Sequence, residues 1–502
     1  MKKKICLLLP IIAVLAGCSV PSFDIPSSNS SDSSKTPNTP NNPSGNGGVI
    51  EDEGLVPAIE ETDPEAILLY DDLYNPASDV KMTIRIHNDA FQAVMNNGHP
   101  DNPTLHDIYS PCDVTISVNE EEREYPEAGI RLKGNTSRLQ SASSYYGGHF
   151  NGEAHFKIAF NETFEDNNDY TPTTEAKTLK KRRLGKAKKV DIKWNRNRDK
   201  EFVRESYASH ILEKEGLMAQ KCNNIKVTFV TDTESQEYIY SIQESVDSEF
   251  LEKRLDATCS AGDLYKGGWV GSDSLNMLNS SDHLFGVEDC TQNKFYPYDL
   301  KTNKKTSDFS IMKNLINALK ENDSGKSQEE LKTKLDSYVS TDYLLRFMAL
   351  EWVIGNPDSL RYHYNNTYFY FSSKNNLMYP IMYDNDRCFG IREGWAVTPN
   401  RYPSTTKTTM DMDMNSVQDM PLYWRTILKG NSAYPCITEY RNKYFDYVEE
   451  YATKYLNVEY FNAYKNSFHY KDNVYSSSNW SFSDYANSML TKMQECFASE
   501  GR

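Results

Sequence analysis

Val190-Asp-Ile-Lys-Trp194, the run from Asp199 to Leu217, and the pair Ile225 to Val230 and Tyr238 to Gln243 decide the fold class. The first is a strand by its alternating apolar residues. In the second, Phe202, Tyr207, Ile211 and Leu212 share one face at helical spacing, and Gly216 supplies a stop signal. The last two are strands joined by a polar turn, and a short helix is expected after Ser245. Strand, helix, strand, strand, short connector, helix is the order of an α+β domain.

The pattern extends outward from this stretch. Upstream, Gly129-Ile-Arg-Leu-Lys-Gly134 and His155-Phe-Lys-Ile-Ala-Phe160 read as strands. Val80 to Ile86 and Asp113 to Val118 alternate apolar and polar residues as strands do, which predicts a small β-rich module over residues 67–127. Downstream of residue 300 the spacing turns helical, over Phe309–Lys320, Gln328–Leu335 and Thr341–Ile354. A β-pair, Asn366–Phe371 and Leu377–Tyr383, interrupts the helices, which resume at 438–456, 458–467 and 482–498.

Composition removes whole classes. The 502 residues carry 55 Lys+Arg against 71 Asp+Glu, a net charge of −16, which argues against a nucleic-acid binder that must neutralise phosphates. Hydrophobic residues make up 38% and aromatics 12%, with 34 Tyr, enough to bury a core. After residue 17 no apolar run approaches the ~20 residues of a spanning helix.

Lys2, Lys3 and Lys4 followed by the apolar stretch Ile5 to Gly17 form a secretory signal. It ends in Leu15-Ala16-Gly17-Cys18, which resembles the lipobox of bacterial lipoproteins. The resemblance implies an acylated Cys18 as the first mature residue, on the outer side of the membrane. From Ser19 to Gly48, 24 of 30 residues are Ser, Pro, Thr, Asn or Gly, so residues 18–66 are expected to form a lipidated, disordered tether. Seven cysteines remain, an odd number without a CxxC pair, which excludes a dense disulfide framework and a zinc ribbon. One or two bridges stay open.

The densest polar constellation flanks the predicted β-pair. Gly355-Asn356-Pro357-Asp358 closes a helix, Arg361 and Asn365-Asn366 precede one strand, and Asp384-Asn385-Asp386-Arg387-Cys388-Phe389-Gly390 follows its partner. A hairpin brings its outer ends together, setting Asp358 and Asn366 beside Asp384 and Asp386. Such oxygen donors suit a hard divalent cation. The bland alternative pairs these acids with Arg361 and Arg387. An EF-hand is excluded, because Gly390 falls at the seventh loop position and no closing Glu follows.

An acid and an amide before a hairpin, with acids and a glycine after it, follow the logic of the catalytic and metal loops of protein kinases. The literal His-Arg-Asp, Asp-Phe-Gly and Gly-x-Gly-x-x-Gly strings are absent. Yet Arg131-Leu-Lys-Gly-Asn-Thr-Ser-Arg138, Phe156-Lys-Ile-Ala-Phe160, Phe202-Val-Arg204, Ile242-Gln-Glu244 to Leu251 and Leu264-Tyr-Lys266 precede the two loops in order. Together this series, over roughly residues 125–455, resembles the spore-coat-protein-H (CotH) kinase family. Two departures stand out: Tyr383 occupies a position where the family often has Trp, and Pro357 is an unusual residue within its string.

The resemblance implies an atypical protein-kinase-like two-lobed fold, with a mixed β/α N-lobe over residues 128–245 and a mainly helical C-lobe over 246–455. Helices over 456–502 would follow. It implies ATP and a divalent cation, Mg²⁺ or Mn²⁺, and transfer of the γ-phosphoryl to protein hydroxyls. Asp358 becomes the catalytic-loop acid, and Asn366, Asp384 and Asp386 the metal-binding residues. Lys157 is the first choice for the phosphate-contacting lysine, with Lys193 as competitor. Glu205 sits where a kinase helix pairs that lysine, and Glu244 where a hinge holds the nucleotide. The alternative is a non-catalytic kinase-fold scaffold of the cell envelope, because ATP is scarce outside the cytoplasm. Lys177 to Lys189 holds eight basic residues in thirteen, either a solvated charge run or a docking patch for an acidic partner or wall polymer. Hydrolase elbows and His-Glu-x-x-His pairs are absent, and Met410-Asp-Met-Asp-Met414 reads as a loop.

Overall fold

Alternating side chains close the first half of the chain into a barrel. The structure, a computed structural model, describes residues 52, 54–58, 70–135, 137–268, 275–391, 420–428, 432–471 and 481–502. The signal segment, Cys18, most of the tether and the Met410–Met414 loop lie outside them. In β1 (Val80–Arg85), Val80, Met82 and Ile84 are buried while the residues between them face out. The same period of two runs through β2 (Ser110–Val118), and β3 (Glu121–Leu132) pairs with it across a bulge between Cys112 and Val114.

A two-stranded hairpin, β4 (Tyr145–Tyr146) and β5 (His149–Phe150), precedes β6 (Phe156–Ala159) and β7 (Lys189–Lys193). The barrel is completed by β8 (Cys222–Val230) and β9 (Ser235–Glu244). Its strand order is β1-β2-β3-β6-β7-β9-β8, closed by the parallel pairing of β1 with β8 from Lys81↔Lys226 to Arg85↔Val230. Closure leaves no edge, and Ile84, Ile116, Ile130, Ile158, Ile192 and Val227 share one interior. Helix α1 (Asn88–Asn97) packs against this core with Phe91, Val94 and Met95, where Phe91 meets Phe150 at 5.1 Å and Phe229 at 6.0 Å.

The boundary expected between residues 127 and 128 falls inside β3. The β-rich module and the mixed β/α stretch therefore share one barrel. The physical reason is that two isolated strands are marginal, whereas closing on β8 pairs both of their edges.

Helix α2 (Arg204–Lys214) joins β7 to β8 and is shorter than the predicted 199–217. The Asp199 carboxylate accepts from the Glu201 and Arg204 amides, and Phe202 stands at φ 50°, so residues 199–203 turn before the helix begins. After β9, α3 (Ser248–Arg254) starts under an Asp247 cap that accepts from the Glu249 and Phe250 amides.

The second half holds a five-stranded sheet. It comprises β10 (Leu264–Gly267), β11 (Phe285–Gly286), β12 (Tyr298–Leu300), β13 (Thr367–Phe371) and β14 (Met378–Met382), in the order β11-β12-β10-β13-β14. Its β13–β14 hairpin, with Thr367 opposite Met382, is the predicted β-pair. Three helices precede the hairpin, α4 (Ser310–Lys320), α5 (Gln328–Asp336) and α6 (Thr341–Ile354). A short α7 (Leu360–His363) leads into it, and α8 (Pro421–Thr426), α9 (Thr438–Tyr455), α10 (Val458–Asn466) and α11 (Phe482–Glu500) follow. Eleven of the fourteen residues of α6 are buried, the mark of a central helix enclosed on all sides.

The fold is thus α+β, with a barrel the sequence did not announce. No two cysteines among the described residues form a disulfide. Among the described residues no helix is long and apolar enough to cross a membrane.

Candidate active site

Strand β7 divides its side chains between two environments. Val190 and Ile192 point into the barrel, so Asp191 and Lys193 stand on its outer face, both nearly inaccessible. Lys193 Nζ reaches Glu205 Oε1 at 2.7 Å, in the first turn of α2, and Asp384 Oδ1 at 2.6 Å, just beyond β14. One ammonium thus ties the barrel, its helix and the hairpin of the second half together. Burial opposes the Lys193 charge, but Asp384, Glu205 and Asp386 outweigh it and lift the pKa well above the usual lysine value.

The structure brings Lys193, and not Lys157, to Glu205 and Asp384. Lys157 lies on the neighbouring strand in register with Asp191, which it meets at 2.8 Å, and it donates to the Ser245 hydroxyl at 2.9 Å. Lys133 reaches the same Asp191 at 2.9 Å. Burial works against the Asp191 charge, yet the two lysines hold its carboxyl well below the usual range. Lys133 and Asp191 were not anticipated as site residues. Their signal was in the sequence as charges alternating with the barrel-facing apolar residues.

The hairpin mouth is knitted by amides. Asn356, buried, donates from Nδ2 to the Asp384 carbonyl at 3.2 Å and to Asn385 Oδ1 at 3.1 Å, and its Oδ1 accepts from the Asp358 amide at 3.0 Å. Asn366 Nδ2 donates to the Asp358 carbonyl at 2.8 Å, and Asn365 Nδ2 to Asp358 Oδ1 at 3.3 Å. Asn366 and Asp384 both adopt left-handed backbone, at φ 52° and 56°, a conformation Asn and Asp tolerate better than most residues. The two loops therefore do meet as the hairpin geometry required.

The arginines divide. Arg387 approaches Asp358 at 3.5 Å, whereas Arg361 is turned into the helical core, donating to the Tyr444 hydroxyl at 3.1 Å. Burial and the neighbouring Asp384 charge push Asp386 up to about 7, against the pull of Lys193, while Lys193 and Lys133 overcome burial and hold Asp384 down. This split is the signature of two carboxylates sharing one site. Among the described residues no three His, Cys, Asp or Glu side chains gather into a closed metal cage. One or two carboxylates with an amide still fit Mg²⁺, which completes its shell with phosphate oxygens and water.

Relieving the repulsion has a predictable sign. Asp386→Asn is expected to stabilise the metal-free protein by about 2 kcal/mol at pH 8, the order of one relieved like-charge contact. Because the folded pKa lies above the unfolded one, the ionised acid's penalty builds up between pH ~4 and ~7. The gain should thus vanish below pH ~4. Thermal melts of parent and variant in chelator across this range check it.

Glu244 is held by partners of its own. Its buried carboxylate accepts from Arg254 at 2.6 Å and from Lys253 at 3.0 Å, and the Tyr70 hydroxyl donates to it as well. It braces the junction between β9 and α3, with its carboxylate already engaged. The basic stretch is also partly absorbed. Arg182 donates to the Glu127 carbonyl at 2.6 Å, Arg183 and Lys188 pair with Glu249, and Lys189 lies over the Tyr109 ring. Lys177, Lys180 and Lys181 remain exposed.

No curated protein matches this chain. A family model described as CotH kinase protein matches residues 159–488, about two thirds of the chain and the whole of the Lys193–Glu205–Asp384 constellation. The chain belongs to the CotH kinase family.

Proposed function

We propose that this protein is a nucleotide-dependent phosphotransferase with a kinase-like two-lobed fold. What supports this most is the Lys193–Glu205 ion pair at 2.7 Å, placed on the third strand of the run β3-β6-β7-β9-β8 and on the helix that follows it. In protein kinases a lysine of the third strand pairs with a helix glutamate in the same way and holds the nucleotide phosphates. The barrel would be the N-lobe, elaborated by β1 and β2, and the helical half with its five-stranded sheet the C-lobe. On this reading Lys193 takes the role first given to Lys157, and Lys157 instead steadies Asp191.

Asp358 orients the acceptor hydroxyl and accepts its proton as the acceptor oxygen bonds to the γ-phosphorus, while the bond from that phosphorus to the β–γ bridging oxygen breaks and ADP leaves. Asn366, Asp384 and Asp386 would hold Mg²⁺ or Mn²⁺, which supplies positive charge to the β- and γ-oxygens when bound. Asn356 keeps the two loops in register, and Lys193 fixes Asp384 in place. The acceptor is a protein hydroxyl. The enzyme works outside the cytoplasm, held to the membrane by lipid at Cys18 and lifted from it by the tether. The exposed Lys177, Lys180 and Lys181 offer a contact to an acidic protein or wall polymer.

A scaffold without turnover is the second reading, favoured by the engagement of Asp384 with Lys193. Melting the protein with ATP and Mg²⁺ or Mn²⁺ separates the two. A bound ligand at ~100 Kd adds about 2.7 kcal/mol. The kinase reading expects an upward shift that requires both nucleotide and metal. No shift with any such pair would favour the scaffold.

A further inference from the structure

The five-stranded sheet carries a lysine that makes no ion pair among the described residues. Lys266 lies on β10, opposite Asp299 of β12 on one side and Tyr368 of β13 on the other. Its Nζ stands over the ring of Tyr383, 5.5 Å from the centroid, and Tyr383 immediately precedes Asp384. Among the described residues this ammonium has no hydrogen-bond or ion-pair partner.

The nearby acids are already taken. Lys301 pairs with Glu288 at 3.0 Å and with Asp299. From the barrel side comes Lys133, a further positive charge close enough to oppose that of Lys266. Burial, Lys301 and Lys133 together depress the Lys266 pKa to about 8, against the pull of Glu288 and Asp299. Tyr368 and Tyr383, 4.7 Å apart, form the remaining wall and offer aromatic faces without a countercharge.

An ammonium held in such a place, with a second lysine charge nearby and the Asp384 loop beside it, is a receptor waiting for an anion. We propose that Lys266 binds a phosphate group of the nucleotide from the sheet side, as a binding residue additional to Lys193. This rests on the nucleotide reading above. Lys266 adds a positive charge on the sheet side of the site, so the contact is to the polyphosphate chain and not to the base.

The test compares the full chain with Lys266→Met, which keeps the stem and removes the charge, and Lys266→Arg, which keeps the charge. Binding of ATP, inorganic tripolyphosphate and adenosine is measured in the presence of Mg²⁺. A charge-assisted hydrogen bond is worth roughly tenfold or more in affinity. Lys266→Met should therefore weaken ATP and tripolyphosphate at least ~10-fold and leave adenosine unchanged. Lys266→Arg should stay within about threefold of the parent, since a guanidinium also binds phosphate. Without ligand, Lys266→Met should melt no lower than the parent, because no partner is stranded.

ATP binding equally well to parent and Lys266→Met would overturn the inference and leave the kinase reading standing. A drop in the unliganded melting temperature of Lys266→Met would overturn it too, by revealing a structural role. Failure of the parent to bind either ATP or tripolyphosphate would end both.

Discussion

Asp358→Asn is expected to lower nucleotide turnover at least ~100-fold while leaving the fold intact, because the change removes a general base or positioning acid without emptying space. The Asp358 side chain is 21% exposed and its Arg387 contact is long, at 3.5 Å. Its amide and carbonyl, which hold the loop through Asn356 and Asn366, survive the substitution. Stability should fall by only about 1–2 kcal/mol, because the amide oxygen of Asn still faces Arg387, which is 4% exposed, in place of the carboxylate. Turnover and melting temperature measured on one preparation decide the matter. Turnover kept within a few-fold of the parent would remove Asp358 from its role, and a collapse of stability would make the acid structural.

Lys193→Met should be damaging in both respects. The ammonium is 4% exposed and serves two acids, so its loss leaves Glu205 and Asp384 facing each other with Asp386 nearby. Stranding buried partners costs about 3–5 kcal/mol. Here about 2–3 kcal/mol is expected, because the Asp384 side chain is 36% exposed and water screens it. The deficit should shrink below pH ~4, as the stranded carboxylates take up protons. Turnover should fall at least ~100-fold, since the phosphates lose a contact and Asp384 its anchor. Lys157→Met is the control. It should loosen Asp191 and cost stability while retaining more turnover than Lys193→Met. The opposite ranking would return the phosphate contact to Lys157.

Much of the site was legible because its residues lie at predictable ends of a hairpin. Once Asn366–Phe371 and Leu377–Tyr383 were read as paired strands, the loops before and after them had to meet, and they do, through Asn356 with the Asp384 carbonyl and Asn366 with the Asp358 carbonyl. The choice between Lys157 and Lys193 was not legible. Both sit on outward positions of adjacent strands, and only the register, which sets Lys157 opposite Asp191, decides which one reaches α2 and the Asp384 loop. The partners of Glu244 were not legible for a related reason. Glu244 ends its strand where a hinge begins, and Arg254, the last residue of the following helix, pairs with its carboxylate.

By itself the sequence determined the local elements of this protein, since these follow from short-range periodicity, caps and stops. Helix α6 over Thr341–Ile354 is a case where the apolar spacing sets both ends. Closure of the barrel was decided only by tertiary structure. The pairing of β1 with β8 joins residues about 145 positions apart, and no window of sequence carries the preference of one strand edge for another so far away. The same holds for the Lys193–Asp384 pair, which links the two halves across 191 positions. Such contacts depend on where an entire surface comes to rest, and that is fixed by the burial of two cores rather than by the charged residues that meet between them.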